Sequence, residues 1–378
     1  MNIAFDAKRA FNNTTGLGHY SRTLINSLAA YFPGNKYFLC TPKRSDRFNI
    51  SALQNMHIIE PQKFPSTVFK SAWRSSWVKK DLLQLNIDLY HGLSHEIPVG
   101  IEKTGIKSVV TIHDLIFERY PNQYNSIDVQ IYRRKFKNAC VHADKIIAIS
   151  KQTKDDIIQF YKIPEKKITV CYQSCDPAFG VEVNKAEKQR IKLKYKLPDK
   201  FFLYVGSIIE RKNLLTVCKA FHQLKDKLNI PLVIIGQGGK YKQQVKDFIQ
   251  SSGLQQQIIF LSEVHSFESS VDFPAIYQQA LCMVYPSISE GFGIPVLEAL
   301  WSRIPVITSN ISCLPEAGGE GALYVDPFNT EQMAEAIMRI ATDNNLRNNL
   351  IEKGWQHAQS FTPQKCAASV MDVYKELL

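Results

Sequence analysis

The chain has 378 residues, of which 45% are hydrophobic and 21% are charged, a composition typical of globular proteins and a length that predicts two or three domains. It has neither the run of about 20 apolar residues that spans a bilayer nor an apolar signal segment behind Met1. Its eight cysteines include no C-x-x-C pair. We therefore expect a cytoplasmic protein with reduced thiols and no zinc site. The net charge of +11 is uneven, because residues 1–180 hold 25 Lys and Arg against 15 Asp and Glu, whereas residues 181–378 hold 21 against 20.

Short apolar segments recur along the chain and fall into two sets. The first set is NIAFDA, KYFLCT, MHIIE, IDLYHG, KSVVTIHD and KIIAIS, and the second is FFLYVGS, PLVIIG, QIIFLS, LCMVYPS and IPVITSN, with GALYVD as a short addition. Longer helical patterns alternate with them over residues 19–31, 132–143, 214–227 and 330–342. Such segments are typical of strands buried on both faces. Their alternation with helices predicts an α/β protein with two doubly wound, Rossmann-like parallel sheets.

The polar, lysine-rich stretch of residues 180–200 separates the two sets and is predicted to be the linker region. We therefore expect one domain over residues 1–180 and a second over residues 195–361. The closing segment, residues 362–378, is predicted to be a helix that begins at a Thr-Pro pair, because proline fits the first helical turn.

Ligands of doubly wound sheets bind beyond the carboxyl ends of the strands, so polar residues and glycines just after each strand are the candidates for function. The first of these lie in NNTTGLGHYSRTLINSL, where Gly16 and Gly18 open a helix. Glycines let backbone N–H groups approach a ligand, and a helix N-terminus favours anions. A simple turn explains the same glycines, and their spacing does not complete a dinucleotide fingerprint.

The segment FPSTVFKSAWRSSWVKKDLLQL, residues 64–85, places Phe69, Trp73 and Trp77 four positions apart among Lys and Arg residues. This pattern indicates either a helix on a membrane surface or an aromatic stripe that faces the core beneath a solvated basic side. The basic N-terminal half likewise indicates either an anionic partner, such as membrane phospholipid, lipid phosphate or nucleic acid, or a solvated surface.

Two further groups follow predicted strands. His113 and Asp114 follow the strand in VVTIHDLIFERYP, with His91 after IDLY as a weaker companion. A histidine there either transfers a proton near neutral pH or is satisfied by nearby backbone. Arg211 and Lys212 follow FFLYVGS, and an Arg fork beside a Lys charge suits a diphosphate leaving group. Solvation at the surface is the alternative for this pair.

The stretch SEGFGIPVLEAL, residues 289–300, joins the strand LCMVYPS to a helix. Glu290 lies in the turn, Pro295 fits the first helical turn, and Glu298 lies in the helix. We expect both carboxylates and the backbone N–H groups of residues 291–294 to face one cleft. A carboxylate accepts two neighbouring hydroxyls of a ribose or hexose at once, whereas acids that merely cap the positive end of a helix are the alternative.

At residues 290–299, EGFGIPVLEA, the chain resembles the retaining nucleotide-sugar glycosyltransferases of family 4. The resemblance also covers TGLGHYSRTL, TIHDLIFERYP, AISKQTKDDI, VGSIIERKN, LVIIGQGG and the closing YKELL, and so runs through nearly the whole chain in order. It implies the GT-B fold, with two Rossmann-like domains, a cleft between them and a C-terminal helix that crosses back to the N-terminal domain. HDLIFERYP and RKN look most like the mannosyltransferase-type branch, whose members build bacterial surface polysaccharides.

The resemblance implies a hexosyltransferase that takes its donor, a GDP- or UDP-sugar, on the C-terminal domain and its acceptor, a glycan or lipid-linked glycan, on the N-terminal domain. No metal or other cofactor is implied. Arg211 and Lys212 match the basic pair on the donor diphosphate, Glu298 the acid that binds the ribose, and Glu290 the acid beside the donor sugar. The N–H groups implied to contact sugar and phosphate belong to Gly291, Phe292, Gly293 and Ile294.

On the N-terminal domain, Gly16 and Gly18 match the loop that faces the diphosphate across the cleft, and His113 matches the residue near the reacting sugar and acceptor. With the basic charge of this half, we expect a cytoplasmic protein that contacts the inner face of an anionic membrane peripherally. A GT-B epimerase or phosphorylase is the nearest alternative. An NAD-dependent oxidoreductase is disfavoured because neither GLGHYS nor GQGGKY completes G-x-G-x-x-G, and no pattern of a nucleic-acid-binding domain is present.

Overall fold

A computed structural model describes residues 1–50, 54–264 and 271–378. Within them the chain forms two compact units, the first unit (residues 1–174 and 361–378) and the second unit (residues 175–360). Each unit contains one parallel β-sheet on which helices pack.

Within the described residues the first unit has seven strands and the second has six. In the first unit they are β1 (Asn2–Asp6), β2 (Lys36–Cys40), β3 (Met56–Ile59), β4 (Leu89–Gly92), β5 (Lys107–Ile112), β6 (Lys145–Ala148) and β7 (Ile168–Val170). In the second unit they are β8 (Phe202–Val205), β9 (Leu232–Ile235), β10 (Ile258–Phe260), β11 (Cys282–Tyr285), β12 (Val306–Ser309) and β13 (Ala322–Val325). The spatial orders are β3-β2-β1-β4-β5-β6-β7 and β10-β9-β8-β11-β12-β13.

The α-helices of the described residues are numbered along the chain. They are α1 (Lys8–Asn12), α2 (Gly16–Tyr31), α3 (Lys70–Ala72), α4 (Val78–Gln84), α5 (Ile116–Arg119), α6 (Ser126–His142), α7 (Lys151–Tyr161), α8 (Lys185–Tyr195), α9 (Leu214–Gln223), α10 (Lys240–Ser251), α11 (Leu261–Val264), α12 (Phe273–Tyr277), α13 (Ile294–Trp301), α14 (Leu314–Gly318), α15 (Thr330–Thr342), α16 (Asn344–Ala358) and α17 (Pro363–Lys375). A π-helical turn, Trp73–Trp77, joins α3 to α4. None of these helices is long and apolar enough to cross a bilayer.

Both sheets are wound outward from a central pair of strands. In the first unit β1 lies beside β4, with Ala4 opposite Tyr90, and in the second β8 lies beside β11, with Phe202 opposite Cys282. At these switch points the chain leaves two adjacent strands toward opposite edges of the sheet. A crevice therefore opens at the carboxyl ends of each central pair, which is where ligands of such sheets bind.

Helices bury both faces of the first sheet. Ile3 and Phe5 of β1 point to the face covered by α2 and α17, whereas Ala4 points to the face covered by the α3–α4 segment and α6. The closing helix α17 begins at Thr362, whose side chain accepts a hydrogen bond from the Lys365 N–H, and Pro follows in its first turn, as predicted. This helix thus belongs to the core of the first unit.

The second sheet is covered on one face by α9, α10 and α15. Their buried side chains include Val217, Phe221, Val245 and Ile337, which pack against the strands in one apolar cluster. The loops that follow β8 and β11 carry the charged residues described below.

The structure differs from the predictions at two places in the fold. The strand β7 was not predicted. The predicted linker, residues 180–200, is instead mostly helix α8, which packs within the second unit. Its pattern reads as a linker because only Ile191 and Tyr195 are buried, and Tyr195 anchors it by donating to Asp272 at 2.6 Å.

The aromatic segment 64–85 faces the core only in part, and its contact with a membrane stays a prediction. Trp73 is buried, and its Nε1 donates to Asp81 at 2.6 Å, whereas Phe69 and Trp77 are exposed. Arg74 is not solvated, because its guanidinium forms an ion pair with the buried Asp6, with Nε 2.9 Å from Oδ2. The aromatic residues therefore divide between the core and the surface.

Candidate active site

The turn after β8 presents Arg211 and Lys212 at the switch point of the second sheet. The chain leaves the strand through Gly206, whose φ of +149° favours glycine, and then forms a 3-10 turn over Glu210–Lys212. Asn213 ends that turn in the left-handed region and is anchored through its side-chain amide, which donates to the Pro327 carbonyl at 2.7 Å. The two basic side chains thus project from a tightly fixed backbone.

The loop after β11 presents Glu290 beside them. This loop ends at Gly293, whose φ is +100° and whose added Cβ would lie 2.9 Å from Leu314, so a glycine is required there on both counts. Helix α13 follows, with Pro295 in its first turn as predicted. The loop is tied to the turn after β8, because the Ile288 N–H donates to the Arg211 carbonyl at 2.9 Å.

Glu290, Arg211 and Lys212 form one contact cluster. Glu290 Oε1 lies 2.6 Å from Lys212 Nζ and 3.1 Å from Arg211 Nη1, and all three side chains are only 11–12% exposed. Tyr285, at the end of β11, completes the cluster, since its hydroxyl donates to Glu290 Oε1 at 3.1 Å and accepts from Lys212 Nζ. The Lys212 ammonium also lies 4.7 Å from the Tyr285 ring centroid, a cation–π distance.

Two cations and one carboxylate leave this cluster with an excess of positive charge. Burial alone would raise the pKa of Glu290, but the charges of Lys212 and Arg211 outweigh it and lower the pKa to about 2. Glu290 is therefore ionised at neutral pH. The Arg211 guanidinium is also held by the Ser289 carbonyl, which accepts from its Nη1. The cluster is thus a preformed, fixed set of charges at the carboxyl ends of the two central strands of the second sheet.

Glu298 lies on α13, in the helix that starts from the same loop. Its Oε2 accepts a hydrogen bond of 2.9 Å from the hydroxyl of Tyr277, which is fully buried at the end of α12. Burial raises the pKa of Glu298 to about 7, with a smaller contribution of the same sign from Asp176 and an opposing one from the Tyr277 hydrogen bond. This carboxyl group therefore changes charge near neutral pH, whereas Glu290 does not.

The loop that joins the two acids is packed closely. Phe292 and Gly293 are buried, and Gly291 and Ile294 are partly buried. The backbone at Glu290 is itself held, because its N–H donates to Ser312 at 3.2 Å and its carbonyl accepts from Cys313 at 3.1 Å. Among the described residues, no group of three or more His, Cys, Asp or Glu side chains is arranged to hold a metal ion.

Two tyrosines of this site were not predicted. Tyr285 is the last residue of a predicted strand. Its position at the carboxyl end of that strand could therefore have marked it as a candidate for the site. Tyr277 lies in the short helix α12, 21 residues before Glu298, and no local pattern connects the two. Only the folded chain brings its hydroxyl to that carboxylate.

The predicted glycines of the first unit lie where β1 leads into α2. Helix α2 begins at Gly16, so these glycines open a helix, as predicted. A Cβ added to Gly18 would lie 2.1 Å from the Asn13 carbonyl oxygen, so close backbone approach explains this glycine, whereas Gly16 has open space around it. Asn13 orders the loop, because its side-chain oxygen accepts from Thr15 and from the Gly18 N–H at 3.1 Å.

His113 is buried at the carboxyl end of β5. Its Nε2 donates to the Leu93 carbonyl at 2.8 Å, so nearby backbone satisfies one ring nitrogen, as one of the two sequence interpretations expected. Burial lowers its pKa to about 4, opposed by that hydrogen bond and supported by Arg9. The ring is therefore neutral at pH 7, with its lone pair on Nδ1. It packs edge-on against Tyr20, with 4.6 Å between ring centroids.

His91 belongs to the interior of the first unit. Its Nδ1 lies 2.6 Å from the hydroxyl of Tyr374 on α17, and its Nε2 lies 2.8 Å from Thr111 Oγ1, which in turn lies 3.0 Å from the Tyr20 hydroxyl. Both ring nitrogens are thus used within a buried hydrogen-bond chain. This chain ties the C-terminal helix to the first sheet, so the structure assigns His91 to the fold.

Comparisons with known proteins agree with this architecture. A family model described as Glycosyltransferase Family 4 matches residues 14–179, and one described as Glycosyl transferases group 1 matches residues 185–357. The chain is 24% identical to O-antigen chain mannosyltransferase B of Escherichia coli over the full length of both proteins. It is 31% identical to O-antigen chain mannosyltransferase RfbU of Salmonella typhimurium over 246 residues, which are 65% of this chain and 63% of that protein. Among solved structures, Alr3699/HepE of Anabaena in complex with UDP-glucose superposes with a TM-score of 0.74 at 14% identity and full coverage of both chains.

Proposed function

Since the chain belongs to glycosyltransferase family 4 and is a hexosyltransferase with the GT-B fold, we propose that it moves a hexose from a nucleoside diphosphate sugar to a hydroxyl of a glycan or lipid-linked glycan. The transfer keeps the configuration at the anomeric carbon. The hexose is mannose, carried by GDP, and the product belongs to a surface polysaccharide. The names of the full-length relative and of RfbU support the choice of sugar and product.

The observation that carries this proposal is the contact of Glu290 with both Arg211 and Lys212 at the switch point of the second sheet. One carboxylate does not balance two cations, and the excess positive charge suits a donor diphosphate. The HepE protein, which shares the fold, was solved with UDP-glucose. That complex supports a nucleotide-sugar as the ligand class.

We assign the roles within the second unit as follows. Arg211 and Lys212 bind the donor diphosphate, Glu290 lies beside the donor sugar, and Glu298 accepts hydrogen bonds from the ribose hydroxyls. Residues 291–294 contribute backbone N–H groups at the start of α13. The roles of Gly16, Gly18 and His113 stay predictions from the family resemblance.

These residues act mainly by stabilising charge. As the bond between the anomeric carbon and the diphosphate breaks, negative charge grows on the leaving oxygen, and Arg211 and Lys212 neutralise it from positions fixed by Ser289 and Tyr285. The acceptor oxygen then bonds to the anomeric carbon on the same face. Its proton passes to the leaving phosphate oxygen, so no dedicated base is needed. Two fixed cations serve in place of a divalent metal ion.

A donor screen followed by product analysis tests the proposal. The melting temperature of the protein is measured with GDP-mannose, UDP-glucose and ADP-glucose, because a ligand that binds only the folded state raises it. The donor that binds is then incubated with and without acceptor, in the presence of EDTA. We expect hexose transfer that needs the acceptor and survives EDTA. Conversion of the sugar without acceptor would indicate an epimerase, and a lack of any donor-induced shift would contradict the assignment.

A further inference from the structure

Helix α6 lies on the first unit with one side against the core. Val129, Ala139 and Cys140 are buried on that side. Residues three or four positions apart share one side of a helix. We call the side of α6 that lies opposite its buried residues the outer side. The residues of the outer side are Ile127, Ile131, Arg134, Asn138 and Val141.

The outer side of α6 is unusually apolar for a surface helix. Ile127 is 66% exposed, Ile131 44% and Val141 46%. A helix on the surface of a globular protein normally has its apolar residues on the core side and polar residues opposite. α6 carries branched aliphatic residues on both sides. The composition of its outer side is therefore typical of a surface that binds a membrane or another protein.

A second group of exposed apolar side chains lies in the segment that leads into α4. The group consists of Phe64, Val68, Phe69 and Trp77. The rings of Phe69 and Trp77 meet edge to face, with 6.4 Å between their centroids. Tryptophan is enriched where an apolar phase meets water, because its ring is amphipathic.

The two groups lie on the same side of the first sheet. Trp73, which lies in the same segment as the second group, packs in the same core cluster as the buried residues of α6. Glu96 lies between the two segments and contacts both, at 3.1 Å from Arg74 and 3.5 Å from Lys135. We call the exposed side chains of residues 63–80 and 124–142 together the basic apolar surface.

The charge of this surface is one-sided. Its two segments contain nine Lys and Arg residues against a single Asp. Three of the basic residues pair with carboxylates of the first unit. Within the part of the chain that the structure describes, Arg134 and Lys137 form no ion pair. Exposed apolar side chains interleaved with unpaired cations match a layer that is apolar inside and anionic at its face.

We infer that the basic apolar surface rests on an anionic phospholipid membrane, with Ile127, Ile131 and Trp77 inserted below the headgroups and Arg134 and Lys137 at headgroup level. This contact is separate from the transfer reaction, since it uses none of the residues assigned to the donor. It places the first unit at the surface where a lipid-linked acceptor is anchored.

A membrane fits this surface better than the two other candidate partners. A second copy of the chain in a symmetric dimer would set the same basic surface against itself, and the like charges would repel. A nucleic acid would neutralise the cations but would leave the isoleucines and valine of the outer side without an apolar contact.

Vesicle flotation of the full chain tests the inference without any donor or acceptor. The probes are phosphatidylcholine vesicles with and without 30% phosphatidylglycerol. We expect the chain to float with the anionic vesicles and to remain at the bottom of the gradient when the vesicles are neutral. The variant Arg134→Gln/Lys137→Gln should bind about tenfold more weakly or worse, because each cation near an anionic surface contributes about fivefold. Ile127→Ser/Ile131→Ser should lose binding to a similar extent.

Matched controls lie on the second unit. Lys219→Gln/Lys227→Gln removes the same charge from exposed positions, and Leu193→Ser removes one exposed aliphatic side chain. Both should float like the parent chain. Equal flotation of the parent and the surface variants overturns the inference, as does a dimer, seen by light scattering, that the Ile127→Ser/Ile131→Ser variant abolishes. Donor binding by thermal shift is measured on the same samples, so loss of membrane binding and loss of the transferase function are distinguished.

Discussion

Lys212 Nζ lies 2.6 Å from Glu290 Oε1, and Arg211 Nη1 lies 3.1 Å from the same oxygen. The three charges are almost fully buried, so their interaction is weakly screened by solvent. When no donor is bound, the carboxylate partly neutralises the cations that are assigned to the diphosphate. The same contact therefore bears on both stability and anion binding.

The variant Glu290→Gln separates these two effects. Removing one partner of a buried ion pair leaves uncompensated charge, so the free energy of unfolding should fall by about 3 kcal/mol. Inorganic pyrophosphate should then raise the melting temperature of the variant more than that of the parent, because both cations are available to it. Thermal melts with and without pyrophosphate measure this.

Glu263→Gln is the matched control for that experiment. Glu263 also contacts two lysines, Lys242 and Lys246, but it is more exposed and lies outside the candidate site. Its replacement should change stability by less than about 1 kcal/mol and leave the pyrophosphate effect as in the parent. A pyrophosphate shift in Glu290→Gln no larger than in the parent would contradict the shared use of these cations.

Arg211→Ala should lower turnover more than donor binding. In the proposed mechanism the contact of Arg211 with the diphosphate strengthens as the leaving group gains charge, so the interaction is worth more in the transition state than in the ground state. We expect kcat to fall by about 10²- to 10³-fold with a much smaller change in the KM for donor. Steady-state kinetics measure both, and the exposed Arg339→Ala serves as control. An undiminished kcat would count against the proposed mechanism.

Tyr285→Phe removes the hydroxyl that links Lys212 to Glu290 while it keeps the ring beneath the ammonium. Because the cluster loses one hydrogen-bonded link and its charges are less well fixed, kcat should fall by about tenfold and the free energy of unfolding by about 1 kcal/mol. Tyr324→Phe, which removes a hydroxyl bonded to the Gly319 carbonyl away from the cluster, should lower stability alone. Equal kcat values in the two variants would show that Tyr285 only supports the fold.

The short-range features of this site could be read from the sequence, whereas its long-range contacts could not. The runs FFLYVGS and LCMVYPS predict strands, and residues after parallel strands meet at one edge, so the approach of Arg211 to Glu290 follows from pattern and topology. The hydroxyl of Tyr277 reaches Glu298 only because the folded chain brings the end of α12 within hydrogen-bond distance of α13. No spacing along the chain encodes that neighbour.

Fold prediction failed for a related reason at α8. A helix whose outward side is fully solvated and whose buried residues are only Ile191 and Tyr195 has almost no apolar periodicity, so it is read as a polar linker. The segment 64–85 presents the opposite difficulty. Its aromatic spacing is regular, but Trp73 lies in the core whereas Phe69 and Trp77 are exposed, and a π-helical turn spans the two tryptophans.

The donor KM should depend on pH through Glu298. Burial raises the pKa of this group to about 7. In its proposed role the ionised carboxylate accepts hydrogen bonds from the ribose hydroxyls better than the protonated form, which keeps one oxygen as a donor. The KM should therefore fall as the pH rises from 6 to 8 and then level off. Steady-state kinetics across this range measure it. Glu298→Gln should bind donor weakly at every pH, and the exposed Glu352→Gln should keep the parent profile.

The raised pKa of Glu298 also predicts how the free energy of unfolding changes with pH. The folded chain keeps a proton on Glu298 that the unfolded chain releases above its ordinary pKa of 4.5. Its contribution to stability is therefore fully present below pH 4.5 and is lost as the pH rises through about 7. Urea unfolding at pH 5 and pH 8 should show a smaller loss of stability with rising pH in Glu298→Gln than in the parent. Parallel losses in both would contradict a raised pKa.

Tyr277→Phe should move this pH dependence rather than abolish it. The Tyr277 hydroxyl donates to Glu298 Oε2 at 2.9 Å and so stabilises the ionised carboxylate. Loss of one such hydrogen bond costs the charged form roughly 1.5 kcal/mol, which corresponds to a rise in the pKa of about one unit. The fall in donor KM should then occur between about pH 7 and pH 9, as measured by the same kinetics.

This shift separates a positioning role for Tyr277 from a packing role. The ring of Tyr277 also packs edge-on against Phe179, with 5.0 Å between centroids, and phenylalanine keeps that contact. A variant that merely packs less well would melt earlier with an unchanged pH midpoint. Adding Tyr277→Phe to Glu298→Gln should produce no further pH effect, because the group that the hydroxyl acts through is already neutral. A midpoint that stays where it is in the parent would rule out the hydrogen bond as the link between these two residues.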